Sequence, residues 1–150
     1  MDSVKVRWNG ARQFVGWDEA GHGLVMDSSA HYKGEGSGVR PLELFLYAIA
    51  GCTAMDVISI LEKKRQDVRD LEMQVDAVQR EEEFPHIYTE IHLHYIVTGF
   101  SVKPEAVERA IELSEEKYCS VRGMLGPQTT VKATFDVREA RPAGTAALAE

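Results

Sequence analysis

Apolar and polar positions alternate with a period of two through the start of the chain. "VKVRW" (4–8) and "RQFVGW" (12–17) flank the turn signal Asn9-Gly10, and "HGLVMD" (22–27) follows a turn over Asp18 to Gly21. This pattern predicts a small β-meander. "HYKGEGSGVR" (31–40) comes next, with three glycines within residues 34–38, and reads as a flexible loop of the kind that carries function or links two lobes. At 41–61 the period changes: "PLELFLYAIAGCTAMDVISIL" is apolar on nearly every side. Pro41 fits the first helical position and Glu43 the first turn, where the helix dipole favours negative charge, so a helix is expected from Pro41 to about Leu61. Gly51 would allow close approach of a neighbour or a bend.

Period two returns in "LEMQVDAVQ" (71–79) and over 87–97, where Ile87, Ile91, Leu93, Tyr95 and Val97 alternate with Glu90, His92 and His94. Both read as half-buried strands. Pro104 opens a second helix to about Cys119, with Ala106, Val107, Ala110, Ile111, Ser114 and Tyr118 as its apolar stripe. A last strand, 129–137, follows the Gly126-Pro127 turn, and 138–150 reads as a flexible tail. The order of elements predicts one α+β domain over 1–137, with antiparallel sheets and a long buried helix. A helix apolar all round needs more cover than one small sheet supplies, so a homodimer sharing it is expected.

Composition narrows the class. With 150 residues, 44% apolar and 27% charged, the chain is that of an ordinary globular domain. Its net charge of -7, with "KKR" at 63–65 as the local basic cluster, argues against nucleic acid or an anionic membrane as partner. No basic segment followed by an apolar one opens the chain, so a cytoplasmic protein is expected. The longest uncharged apolar run, Leu44 to Met55, falls short of the roughly 18 residues of a membrane span, which favours a buried core helix.

The candidate chemistry centres on Cys52 and Cys119, the two cysteines of the chain. In a reducing compartment they read as redox thiols or plain core residues rather than a permanent staple. A thiol in an apolar site has its pKa raised unless a cation offsets the desolvation, and Arg12 and Arg40 are the arginines considered for that part. Glu43 lies nine residues before Cys52, roughly 13 Å along a straight helix, too far to act as its base but suited to orienting an arginine. Cys119, near the end of its helix, faces the negative end of the dipole and would be the poorer nucleophile. His92 and His94 share a strand face without a third ligand at supporting spacing, and read as exposed polar residues. "GEGSG" lacks the strand and the Lys-Ser/Thr that a phosphate loop needs.

"GVRPLELFLYAIAGCTAMDV", with Gly38, Pro41, Glu43, Leu44, Gly51 and Cys52, together with "SEEKYCSV" around Cys119, resembles the osmotically inducible protein C and organic hydroperoxide resistance (OsmC/Ohr) family. The resemblance spans most of the chain and is nearest an OsmC-like branch. It implies an intertwined α+β homodimer that reduces organic hydroperoxides with its thiols, in defence against oxidative and osmotic stress; no cofactor or metal is expected. Carried over, Cys52 is the peroxidatic thiol, Cys119 resolves it, Glu43 holds an arginine, and Arg12 in "NGARQFVG" is that arginine. An external dithiol would recycle the disulfide. Two departures are visible: Ser120 follows Cys119 where many of the reductases have proline, and the glycine turn before Arg12 is altered. The alternatives are a non-catalytic module binding an apolar small molecule at the dimer interface, with the thiols as core residues, and a purely structural dimer.

Overall fold

The computed structural model describes residues 2–141 and divides between Ala48 and Ile49 into two compact units. In the first, β1 (Val4–Trp8), β2 (Phe14–Asp18) and β3 (Gly23–Met26) form the expected antiparallel meander. The β1–β2 turn is closed by Asn9 N–H to the Gln13 carbonyl and Gln13 N–H to the Gly10 carbonyl, both 2.9 Å, with Gly10 at φ +108°. Asp18 ties the next turn through the His22 backbone N–H at 2.9 Å.

The glycine-rich loop, expected to be flexible, is organised around one buried carboxylate. Asp27 accepts the backbone N–H groups of Ser28, Glu35 and Ser37 and the Ser37 hydroxyl, at 2.7 to 3.1 Å. Two glycines make this wrap possible. Gly36 sits at φ +67°, and a Cβ on Gly34 would lie 1.9 Å from the Ser28 carbonyl oxygen. The bonds from Ser37 hold the Asp27 carboxyl down at about 2. A carboxyl that binds its proton less readily folded than unfolded stabilises the fold above the unfolded value near 4, and loses that contribution as pH falls toward 2. Asp27→Asn is therefore expected to flatten the decline of the urea midpoint between pH 4 and pH 2; an unchanged slope would show that the loop does not depend on this charge.

Helix α1 (Glu43–Lys63) crosses from the first unit into the second. Pro41 and Leu42 form a turn rather than the first helical residues, although the Leu44 N–H already reaches the Arg40 carbonyl at 3.3 Å. By length and composition α1 is apolar enough to cross a bilayer, contrary to the reading of its longest uncharged run. Its packing marks it as a core helix: Ile49, Thr53, Val57 and Leu61, one residue every four, form a fully buried stripe. The other faces are mostly half-buried, with Tyr47 and Met55 exposed, Met55 to 75%. A Cβ on Gly51 would meet nothing within 4 Å, so among the described residues the close approach that Gly51 would allow is not made.

The second unit continues with β4 (Asp67–Gln79) and β5 (Tyr88–Phe100), paired antiparallel, then α2 (Pro104–Leu113) and β6 (Thr130–Glu139). Here the expectation of purely antiparallel sheets fails. β6 runs parallel to β5, with Leu93 opposite Ala133 and Tyr95 opposite Phe135. The reason is connectivity: a helix between two neighbouring strands returns the chain to the start of the sheet, which leaves the second strand parallel. β6 also runs two residues beyond the expected strand end, into the segment read as a tail; the tail residues 142–150 lie outside the described residues. The core is built from Ile91, Leu93, Tyr95 and Val97 of β5, the α1 stripe, and Ala106, Val107, Ala110 and Ile111 of α2.

Candidate functional site

Within the second unit the two cysteines, far apart in sequence, come together. Cys52 lies on α1, one residue before the buried Thr53, and is half-buried. Cys119 is buried, and the two sulfurs lie within 4.8 Å of each other. Asp56, one turn after Cys52 on the same helix face, completes the cluster: the two sulfurs and a carboxylate oxygen all lie within 4.8 Å of one another. The Ser114 hydroxyl donates to Asp56 Oδ2 at 2.9 Å and fixes that carboxylate.

Cys119 is placed by a break in the helix. After Leu113 the chain makes a π turn, Ser114–Tyr118, closed by the Cys119 N–H on the Ser114 carbonyl at 2.9 Å. The wider turn shifts the helix phase, so Tyr118 leaves the predicted stripe and is exposed. Cys119 itself is extended, at φ -68° and ψ 103°, and caps the short helix α3 (Ser120–Gly123), its sulfur accepting the Arg122 N–H at 3.3 Å. Cys119 thus closes its helix, as expected, as the C-cap of the π turn, and at the same time stands at the start of α3. Burial pushes the thiol up to about 11, against the pull of the Arg122 N–H, and the neighbouring Cys52 adds to the rise.

Because the folded chain keeps this proton to higher pH than the unfolded chain, stability is expected to fall as pH rises from about 9 to 11. Over the same range Cys119 of the native protein should become alkylable. Peptide mapping after iodoacetamide at stepped pH checks this, and rapid labelling of Cys119 at neutral pH would contradict it.

Around the cluster are groups with unusual surroundings. Burial pushes the Tyr95 phenol up to about 12, the Thr53 hydroxyl beside it pulling the other way. The Thr53 hydroxyl bonds the Ile49 and Ala50 carbonyls of its own helix at 3.0 and 3.1 Å. Burial raises Glu115, while the Arg122 charge draws it down. Glu115 Oε1 and Arg122 Nε are both buried without a hydrogen-bond partner.

The other site candidates lie in the first unit. Glu43 pairs with Arg40, not with Arg12: its carboxylate accepts both the Arg40 guanidinium and, at 3.0 Å, the Arg40 backbone N–H, and these bonds lower its pKa. This is the reciprocal bond of a capping box, set by three-residue spacing at a helix start. The Arg12 guanidinium donates to the Ala11 carbonyl at 3.4 Å. His92 and His94 both meet the Thr134 hydroxyl, at 2.9 and 2.8 Å, and belong to the polar face of the sheet, as expected.

Reading the sequence missed Asp56, Ser114 as its anchor, and Arg122. The signals were there: Asp56 is four residues after Cys52 on a helix, and Arg122 three after Cys119.

Comparison with known proteins adds three kinds of likeness. Residues 34–134 match the family described as OsmC-like protein. Protein YhfA of Escherichia coli K12 is 42% identical over 134 residues, 89% of this chain and 96% of that protein. Among solved structures, a hypothetical protein from Aquifex aeolicus VF5 matches with a TM-score of 0.81 at 33% identity, covering 94% of this chain and 98% of that one. An organic hydroperoxide resistance protein OsmC from Legionella pneumophila matches at 0.68 and 17% identity, over 92% of this chain and 96% of that one, a likeness of fold alone.

Proposed function

The chain belongs to the OsmC-like family, and from that premise we propose that it is a two-thiol peroxidase acting on organic hydroperoxides in stress defence. The observation that carries this reading is that the sulfurs of Cys52 and Cys119, far apart in sequence, lie within 4.8 Å of each other. Cys52, as thiolate, attacks the terminal oxygen of ROOH. The O–O bond breaks, RO⁻ takes a proton and leaves as the alcohol, and Cys52 becomes a sulfenic acid. Cys119 then attacks the Cys52 sulfur, a disulfide forms, and the hydroxyl leaves as water with the thiol's proton. A dithiol reductant from outside returns both thiols and is itself oxidised to a disulfide.

The more exposed Cys52 suits the first step, and the buried, proton-holding Cys119 suits the second. Glu43 keeps the role of arginine holder, with Arg40 as the arginine it holds. The working form is a cytoplasmic homodimer. A second copy would cover the apolar side chains this chain leaves exposed, among them Tyr47 and Met55 on α1 and Val4, Val6 and Trp8 on β1.

The test is a titration of the reduced protein with one equivalent of cumene hydroperoxide, followed by intact mass and peptide mapping. Loss of two hydrogens with a Cys52–Cys119 linkage is expected. Two free thiols after prolonged exposure would end the peroxidase reading and favour a module that binds an apolar small molecule.

A further inference from the structure

The cluster that brings the thiols together has a composition that disulfide chemistry does not require. A pair of cysteines suffices for a disulfide; here a carboxylate, anchored by its own hydrogen bond, joins them. The geometry points to a zinc site formed by Cys52, Asp56 and Cys119 in the reduced protein, with a fourth position open to water.

Three features carry this. Two thiolates and a carboxylate suit a borderline-soft d¹⁰ ion better than magnesium or calcium, which take oxygen ligands. The donor atoms, within 4.8 Å of one another, need to close by only about 1 Å to reach the roughly 3.5 to 3.8 Å edges of a tetrahedron with Zn–S near 2.3 Å and Zn–O near 2.1 Å. Cys52 and Asp56 approach from one helix face, and Cys119 from the start of α3, so two elements converge on one point.

The surrounding shell is also of the kind metal sites use. The Ser114 hydroxyl orients the Asp56 carboxylate at 2.9 Å, and the Arg122 backbone N–H points at the Cys119 sulfur at 3.3 Å, as amide donors do to metal-bound thiolates. Ser114 is fully buried, and its own carbonyl closes the π turn that positions Cys119, so one residue braces two of the three ligands.

Zinc and the disulfide draw on the same two sulfurs, so each state excludes the other. Occupancy would hold the thiols reduced and out of reach of a hydroperoxide until the metal is withdrawn. The site itself needs no peroxide reaction, and its test is independent of whether the peroxidase reading holds.

The experiment titrates the full-length, reduced, metal-stripped chain with zinc sulfate against a chromophoric chelator, and repeats it with cobalt(II) to read the ligands. One zinc per chain is expected, with a sulfur-to-cobalt charge-transfer band in the near ultraviolet. Cys52→Ser and Cys119→Ser should each abolish tight binding, and Ser114→Ala should weaken it roughly 10- to 100-fold, the usual effect of removing a residue that orients a ligand. Circular dichroism checks each variant's fold; should a variant fail to fold, the cobalt spectrum of the unaltered chain decides alone. Binding far below one ion per chain, cobalt bound without a sulfur band, or zinc that survives both cysteine changes and is lost with His92→Ala would overturn the proposal.

Discussion

Replacing Cys52 with serine is expected to drop the proposed organic hydroperoxide turnover to the uncatalysed background, a loss on the order of 10³-fold or more. A serine oxygen cannot take up the peroxide oxygen and become a species that a thiol then reduces. Nor can Cys119 stand in. Burial holds it as a thiol, with its pKa pushed up to about 11, and it is 6% exposed. Cys119→Ser should behave differently: the first step survives, one equivalent of peroxide is consumed, and the Cys52 sulfenic acid accumulates and is trapped by dimedone. A peroxide-coupled assay beside mass spectrometry of the trapped adduct separates the two variants. Equal, undiminished turnover by Cys52→Ser would remove the sulfur chemistry from the account altogether.

The second large effect is on stability, and it comes from two apolar residues of one helix. Leu61 is 0% exposed and Met55 is 75% exposed. Leu61→Ala should cost about 3 kcal/mol, through lost transfer energy and the cavity left behind, seen as a lower urea midpoint at unchanged slope. Met55→Lys should cost the isolated chain less than about 0.5 kcal/mol, because that side chain is mostly exposed. If a second copy covers it, as proposed, the same change moves the monomer–dimer balance toward monomer, and the midpoint ceases to depend on protein concentration. Sedimentation at several loading concentrations checks the association. A monomer before the substitution would withdraw the dimer.

Much of this was readable from residue patterns. Alternation around Asn9-Gly10 and at Leu71 to Val75 and Ile91 to Val97 located the strands, because a half-buried strand must present every second side chain to the core. The motif around Glu43 and Cys52 led to the family, and Arg40 was already among the cations considered. What failed to show were features made by long-range geometry. Arg12 lay in the expected stretch of sequence, yet the spacing from Arg40 to Glu43 is that of a capping box, and a local bond at a helix start forms without any help from the meander. The π turn leaves no periodic trace: the stripe from Ala106 to Ser114 continues in register to Tyr118 on paper, and the single wider turn that breaks it is fixed by Ser114 and Cys119. Asp56 was not singled out at all, because its partners, Ser114 and Cys119, come from about sixty residues away. The parallel pairing of β6 was legible in principle, since a helix separates it from β5, but the strand's own alternation is silent about direction.

That parallel pairing also orders events during synthesis. Glu90 of β5 faces Thr130 of β6, so the ribosome must deliver forty further residues before the open side of β5 receives its neighbour. The β4–β5 hairpin can form early, with close partners in sequence, while the other side of β5 waits as an unpaired strand edge, the kind of surface that recruits stray strands from other nascent chains. Amides of β6 should accordingly gain protection after those of β4 in pulse-labelled refolding, and a chain stalled before Thr130 should be the form that chaperones hold.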